Sequence, residues 1–245
     1  MTTLFISDLH LDATRPGIKA QFLDFLDGEA RSAEALYILG DLFETWIGDD
    51  AADTGHDDAI AGLARLTDSG VPCFLMHGNR DFLLGGEFCR RSGTHLLEDP
   101  VVLTLYGEHV LVMHGDALCT DDRSYQRLRA TVRDAGWQQR FLALTPAQRA
   151  TLASAARDGS RAHTAGVPMT ITDVNADSVA AVLRASGVTT LLHGHTHRPA
   201  IHSLEVDGRA RRRIVLGDWY EQGSVLRWDE AGYVLAEIPR AGGPE

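Results

Sequence analysis

The amino-acid sequence predicts a single α/β domain over residues 1–245: two packed sheets with helices outside, in an α/β/β/α order, and a helical cap inserted at 121–170. Three observations predict it. Short apolar runs of strand length recur, and each ends in polar, turn-forming residues. Helical periodicities separate several of these runs, as in strands joined by crossover helices. Toward the C-terminus the helices give way to closely spaced strands, which calls for a second sheet packed on the first.

The elements follow in order. Leu4-Phe5-Ile6-Ser7 leads into Asp8-Leu9-His10, and Ala35-Leu36-Tyr37-Ile38-Leu39 into Gly40-Asp41. Between them, Phe22, Leu23, Phe25 and Leu26 form an apolar helical face in 19–31. A second helix is expected over 57–69 from Ile60, Leu63, Ala64 and Leu66, closing at Gly70-Val71-Pro72. Cys73-Phe74-Leu75-Met76 then leads into His77-Gly78-Asn79-Arg80-Asp81, and Val110-Leu111-Val112-Met113 into His114-Gly115-Asp116. Within 121–170 the strand pattern breaks. Tyr125, Leu128 and Val132 have helical spacing, and Trp137, Phe141 and Leu144 continue it. Thr145-Pro146 reads as an N-cap followed by proline at the first helical position. The Gly- and Ser-bearing stretch 158–168 is expected to close the insertion as a loop. A helix over 174–186 with Gly187 as its C-cap follows, then Thr190-Leu191-Leu192 leading into His193-Gly194-His195-Thr196-His197. Short strands are expected around 200–206, 213–217, 224–228 and 233–238.

Hydrophobic residues make up 44% of the 245, enough for a sizeable core. No run approaches the roughly 20 apolar residues that cross a bilayer. The start, Met1 to Asp8, lacks a basic region and a sustained apolar stretch, which argues against a signal peptide. Cys73, Cys89 and Cys119 lack metal-type spacing and read as reduced thiols of a cytosolic protein. A net charge of −11 argues against general nucleic-acid binding. The charge is uneven: Arg123, Arg127, Arg129, Arg133, Arg140, Arg149, Arg157 and Arg161 face only Asp134 and Asp158, a local net of +6. This is either a solvated helical surface or a platform for an anionic ligand or membrane.

The chemistry-bearing residues sit where the apolar runs end, the edge at which α/β sheets bind ligands. They are Asp8, His10, Asp41, Asn79, His114, His195 and His197. All offer oxygen or imidazole and none a thiolate, a set suited to manganese, iron, zinc or similar metals. Asp8 and His10 are two apart, as are His195 and His197, so strand alternation is expected to point both members of each pair to one side. Seven ligands exceed one tetrahedral site but suit two metals sharing a carboxylate.

In these blocks, Asp8-x-His10, Gly40-Asp41, Gly78-Asn79-Arg80-Asp81, His114 and Gly194-His195-x-His197, the chain resembles the calcineurin-like metallophosphoesterases. The resemblance implies their four-layer α/β/β/α sandwich and a metal-dependent hydrolase. It implies that Asp41 bridges two metals, with Asp8, His10 and His197 completing one site and Asn79, His114 and His195 the other. One departure stands out: the superfamily usually has histidine after the asparagine, and here Arg80 takes that place.

Longer stretches, Leu39 to Asp50, His77 to Gly85, Met113 to Asp122 and His193 to Ala200, are similar to the branch of that superfamily that cleaves UDP-2,3-diacylglucosamine in the lipid A pathway of Gram-negative bacteria. The similarity implies two Mn2+ ions per chain and products UMP and 2,3-diacylglucosamine 1-phosphate (lipid X). It implies substrate contacts at Asn79, Arg80, Asp122, Ser160 and His195, with Asn79, Arg80 and His195 closest to the chemistry. Thr164 stands where asparagine is expected and keeps a hydroxyl. Val167 stands where lysine is expected, so Arg157 or Arg161 would have to compensate.

A metal pair can generate a nucleophilic hydroxide from water near neutral pH and stabilise in-line displacement. Attack is expected on the uridine-side phosphorus, with Arg80 forking the diphosphate. Leu128, Val132, Trp137, Phe141, Leu142 and Leu152 suggest a cap lining an acyl groove, with the insertion's arginines facing an anionic inner-membrane surface from its cytoplasmic side. A metallophosphoesterase for a soluble nucleotide, and a scaffold with a decayed metal site, are the alternatives.

Overall fold

The computed structural model describes residues 1–51, 55–166 and 171–240, with 161–166 described by backbone alone. The first half winds β1 (Thr3–Ile6), α1 (Pro16–Asp27), β2 (Ala35–Ile38), α2 (Asp57–Asp68), β3 (Cys73–Met76), α3 (Gly86–Ser92) and β4 (His95–Leu97). A hairpin of β5 (Val101–Leu105) and β6 (Glu108–Met113) follows, then the helices α4 (Arg123–Val132), α5 (Ala135–Leu142) and α6 (Pro146–Gly166). The chain ends with α7 (Ala176–Ser186), β7 (Thr190–His193), β8 (Ala200–Val206), β9 (Arg209–Val215), β10 (Gly223–Asp229) and β11 (Gly232–Ile238).

The strands form two mixed sheets, ordered β11-β10-β1-β2-β3-β4 and β5-β6-β7-β9-β8. Strands β1 to β4 run parallel, as do β6, β7 and β9, so their C-terminal ends share one edge in each sheet. Parallel strands buried on both faces need apolar side chains at every position. In β1, Leu4 and Ile6 pack outward with Phe22, Leu26, Ile60 and Leu63, while Phe5 packs inward with Val112, Leu192 and Ile214 of the other sheet. Leu111, Met113 and Leu191 face the far side, against Val179 and Leu183 of α7. The result is the α/β/β/α sandwich.

Several expectations change. The first helix is 16–27 rather than 19–31: Gly28 ends it, and Glu29–Ser32 is a 3-10 turn. α3, β4 and β5 had no counterpart in the sequence reading. The helix α6 runs to Gly166, which overturns the loop expected from 158; residues 167–168 of that stretch lie outside the described residues. Its six alanines between 147 and 162 favour helix enough to carry Gly159, which costs about 1 kcal/mol against alanine. Thr145 does act at its start: its hydroxyl accepts from Gln148 N at 3.4 Å, and Gln148 Oε1 accepts from Thr145 N at 3.0 Å. Gly187 caps α7 with φ 71°.

Candidate metal centre

The strand ends of both sheets meet in one crater. Asp8 and His10 follow β1, Asp41 follows β2, Asn79 follows β3, His114 follows β6, and His195 and His197 follow β7. Strand alternation is not what aims them. Asp8, His10, Asp41, His195 and His197 lie beyond their strands in the left-handed region, at φ 57°, 49°, 52°, 67° and 57°. Only two further described non-glycine residues, Tyr106 and Asp207, share that conformation. Such backbone costs on the order of 1–3 kcal/mol per residue and needs neighbours to impose it. The loops do this mutually. Asp8 N donates to Gly40 O at 3.1 Å, His10 N to Asp41 O at 2.9 Å and Gly194 N to His114 O at 2.8 Å. A Cβ on Gly78 would collide with the Asp41 carboxylate, and one on Gly194 with Asp8 and Ser7, so both glycines permit close approach.

Two groups of ligand atoms result, Asp8–His10–His197 and Asp41–His114–His195, each with its atoms within 4.8 Å of one another. In the first, His197 Nε2 lies 3.5 Å from Asp8 Oδ1 and 3.3 Å from His10 Nε2. In the second, Asn79 Oδ1 is 3.0 Å from His114 Nε2. Asp41 Oδ2 sits between the groups, 3.7 Å from His10 Nε2 and 3.9 Å from His114 Nε2. The far nitrogens are anchored: His10 Nδ1 lies 3.0 Å from Glu44 Oε2, His197 Nδ1 3.2 Å from Asp218 Oδ2 and His114 Nδ1 2.8 Å from Leu39 O. Anchors of this kind fix ring orientation in metal-binding histidines.

The residues fit a metal pair. Asp8 Oδ2 accepts from the Ser7 hydroxyl at 2.6 Å and His195 N at 2.8 Å, while the buried Oδ1 has no hydrogen-bond partner and faces the imidazoles. The crater also demands positive charge. Burial alone would lower the His114 pKa, yet the carboxylates of Asp41, Asp116, Asp8 and Asp99 raise it to about 9. Burial opposes protonation of His197 too, but the carboxylates of Asp218 and Asp8 beside it raise its pKa to about 10. Protons held this way mark the places that cations take.

Arg80 stands at the crater wall. Its backbone N–H donates to Asp41 Oδ1 at 2.8 Å. Asp81 accepts from the backbone N–H groups of Gly78 and Leu42, both at 2.8 Å, and so stitches the β2 and β3 loops together. The Arg80 side chain lines a cleft of ≈ 590 Å³ that runs from Asn79 to the apolar faces of α4–α6. Leu128, Val132, Trp137, Phe141 and Leu152 line it, as do Arg157 and Ser160; Leu142 does not. Leu128 and Leu152 remain 49% and 50% exposed. Asp122 caps α4, accepting from Tyr125 N at 2.9 Å, and is not part of the cleft wall. The side chain of Thr164, that of Arg161, and Val167 lie outside the described residues.

The arginine platform is smaller than its sequence suggests. Arg129 Nε donates to Asp116 at 2.8 Å, Arg133 to Gly78 O at 2.9 Å, and the fully buried Arg149 to Ile47 O at 2.6 Å and Asp50 at 2.7 Å. These three clamp the helices to the crater wall. The sequence reading also passed over Glu44, Asp116, Tyr125 and Asp218. Glu44 and Asp116 stand within the quoted motif stretches. Tyr125 Oη donates to Asp116 at 2.7 Å, and its ring stacks on His195 with centroids 5.9 Å apart. Asp218 carries no local signal.

A family model for calcineurin-like phosphoesterases matches residues 1–199. A UDP-2,3-diacylglucosamine hydrolase of Stenotrophomonas maltophilia strain K279a is 53% identical over 98% of this chain and 100% of its own length. The proteins of that name from Pseudomonas paraeruginosa strain PA7 and Enterobacter sp. strain 638 are 54% and 52% identical, each over 98% of this chain and 100% of their own length.

Proposed function

The chain belongs to the calcineurin-like phosphoesterase family and is a metal-dependent hydrolase of phosphorus-containing bonds, and from that premise we propose that it hydrolyses UDP-2,3-diacylglucosamine to UMP and 2,3-diacylglucosamine 1-phosphate, with two Mn2+ ions, as a step toward lipid A. The observation that carries this reading is the cleft: one continuous space joins Asn79 and Arg80, beside the candidate metal ligands, to the open apolar faces of Leu128 and Leu152. A soluble nucleotide has no use for such a chamber. An acylated one buries its chains there at roughly 25 cal/mol per Å².

Asp8, His10 and His197 would hold one metal and Asn79, His114 and His195 the other, with Asp41 shared between the two groups. The bound pair supplies Lewis acidity and activates water for in-line displacement. The chain supplies orientation. Glu44 and Asp218 fix the rings of His10 and His197. Arg80 forks the diphosphate and meets the charge that develops on the departing sugar phosphate. With the lipid half in the cleft, the uridine-side phosphorus would face the seven candidate ligands and would be the one attacked. Arg157 and Ser160, which line the cleft, reach the sugar beside the edge of His195. The enzyme works in the cytoplasm, on the inner face of the inner membrane, where the exposed Arg123, Arg127 and Arg140 meet anionic headgroups. No described helix is long and apolar enough to cross a membrane.

A turnover assay tests this directly. UDP-2,3-diacylglucosamine is presented beside cyclic and dinucleoside phosphates, with and without manganese. Manganese-dependent turnover of the acylated substrate is expected; preference for a soluble nucleotide, or no turnover with metal present, would reject the reading.

A further inference from the structure

A second concavity, of ≈ 600 Å³, opens on the other ligand group. It begins at His197 and its anchor Asp218, and none of its wall residues belongs to the cap cleft. Its floor is Pro199 with Leu235 and Ala236 of β11. Its charged groups are the carboxylates of Asp218, Glu221 and Glu237; the amide of Gln222, the hydroxyls of Tyr220 and Ser224 and the His197 imidazole also line it. Neither lysine nor arginine lines it. The cap cleft has the opposite character, with arginines at its mouth and along its wall.

We propose that this groove receives the nucleoside half of the substrate, so that the two clefts divide one molecule at the metal pair. The inference rests on the hydrolase reading above and adds a binding site to it. Three chemical arguments support it. Acidic walls repel a diphosphate, which therefore stays at the metals and Arg80, and they suit a neutral group rich in hydroxyls. A ribose diol donates hydrogen bonds, and carboxylates accept them. A pyrimidine imide presents one N–H between two carbonyl oxygens, which the carboxamide of Gln222 can match by donating and accepting on one edge. The apolar floor then meets the face of the base.

The geometry also orients the reaction. Chain order within the substrate is nucleoside, phosphate, phosphate, acylated sugar. Running from the groove at His197 across the crater to Arg80 and the cap cleft, that order leaves the sugar phosphate on the Arg80 side. The nucleoside product and the lipid product then leave by different openings.

Calorimetric titration of UMP, and separately of 2,3-diacylglucosamine 1-phosphate, into manganese-loaded protein tests the groove. Ala236→Phe fills its floor, and the exposed Gln222→Ala removes the amide with little risk to folding. UMP affinity is expected to fall roughly tenfold in the first and several-fold in the second, the scale of one or two lost polar contacts. Affinity for the lipid product is expected to hold within about twofold. Unchanged UMP affinity in both folded variants, absence of UMP binding to the parent, or equal loss for both products would overturn the proposal. Should Ala236→Phe fail to fold, Gln222→Ala together with Glu221→Ala gives the same reading. Because UMP is the probe, a protein that binds it here yet fails to split the acylated substrate would sink the hydrolase reading and leave the groove standing.

Discussion

The crater and the helical cap solve opposite problems. In the crater, Asp8, His10, Asp41 and His114 are buried, five of the seven candidate ligands hold an unfavourable backbone region, and second atoms of the imidazoles and carboxylates are tied to Glu44, Asp218, Leu39 and Ser7. On α4–α6, large apolar side chains stay half exposed, and a few arginine clamps do the holding. One region is over-determined because metal chemistry tolerates little misplacement. The other leaves apolar surface open, a cost that a partner of matching character removes. Chemistry and selection therefore reside in separable parts.

The largest effect belongs to the crater. Asp41→Ala should lose metal and cut kcat by about 1,000-fold or more, since several kcal/mol of charge stabilisation disappears. Elemental analysis and circular dichroism check metal content and fold together; a folded, metal-free variant with normal turnover would break the two-metal account. Glu44→Ala should weaken metal binding or activity roughly 10- to 100-fold, the usual cost of losing an outer anchor. Full metal occupancy at limiting manganese, with unaltered activity, would show that His10 needs no such anchor. Arg80→Ala should keep its metals and lose about tenfold or more in kcat/KM, with Arg80→Lys recovering only part.

The cap should respond selectively. Trp137 and Phe141 stack on each other and pack on the core, so replacing them would confuse stability with binding. Leu128 and Leu152 are cleaner probes because both line the cleft and are half exposed. Leu128→Ser with Leu152→Ser should raise KM for the acylated substrate several-fold to about tenfold while a small phosphodiester is hydrolysed as before. Equal losses on both substrates would dissolve the division between the two regions.

A separate effect concerns stability behind the crater. His56 stacks against Phe43 and Trp46, and burial lowers its pKa from 6.5 to about 4. The unfolded chain therefore binds the proton first as pH falls. The contribution of neutral His56 is whole above pH 6.5 and is lost progressively as pH drops toward about 4, on the order of 3 kcal/mol across the window. Denaturant melts of His56→Phe beside the parent should show a shallower loss between those limits; parallel curves would refute it.

The candidate ligands were legible because each follows a strand in a motif of fixed spacing. Their aim was not, since alternation along a strand cannot reveal the left-handed residues that set it. α3 was missed for a related reason. Its N-terminal N–H groups are capped by Asp49, whose carboxylate accepts from Gly85, Glu87 and Phe88 at 3.0 Å each, and no local capping residue announces the helix. The loop wrongly expected from 158 read Gly159 and Ser160 as breakers, although alanines on both sides and the Arg149 anchor hold the helix through them. Asp218 was invisible because only the fold brings the residue after β9 to His197.

The division between crater and cap makes its sharpest statement about which bond breaks. If the lipid half occupies the cap cleft beyond Arg80, as proposed, water should attack the uridine-side phosphorus and expel the sugar phosphate. Both possible attacks yield the same two compounds, so only the fate of the water oxygen separates them. Turnover in oxygen-labelled water, with both products weighed by mass spectrometry, should place the label in UMP. Label confined to the phosphate of the lipid product would contradict the account and reverse the substrate across the metal pair.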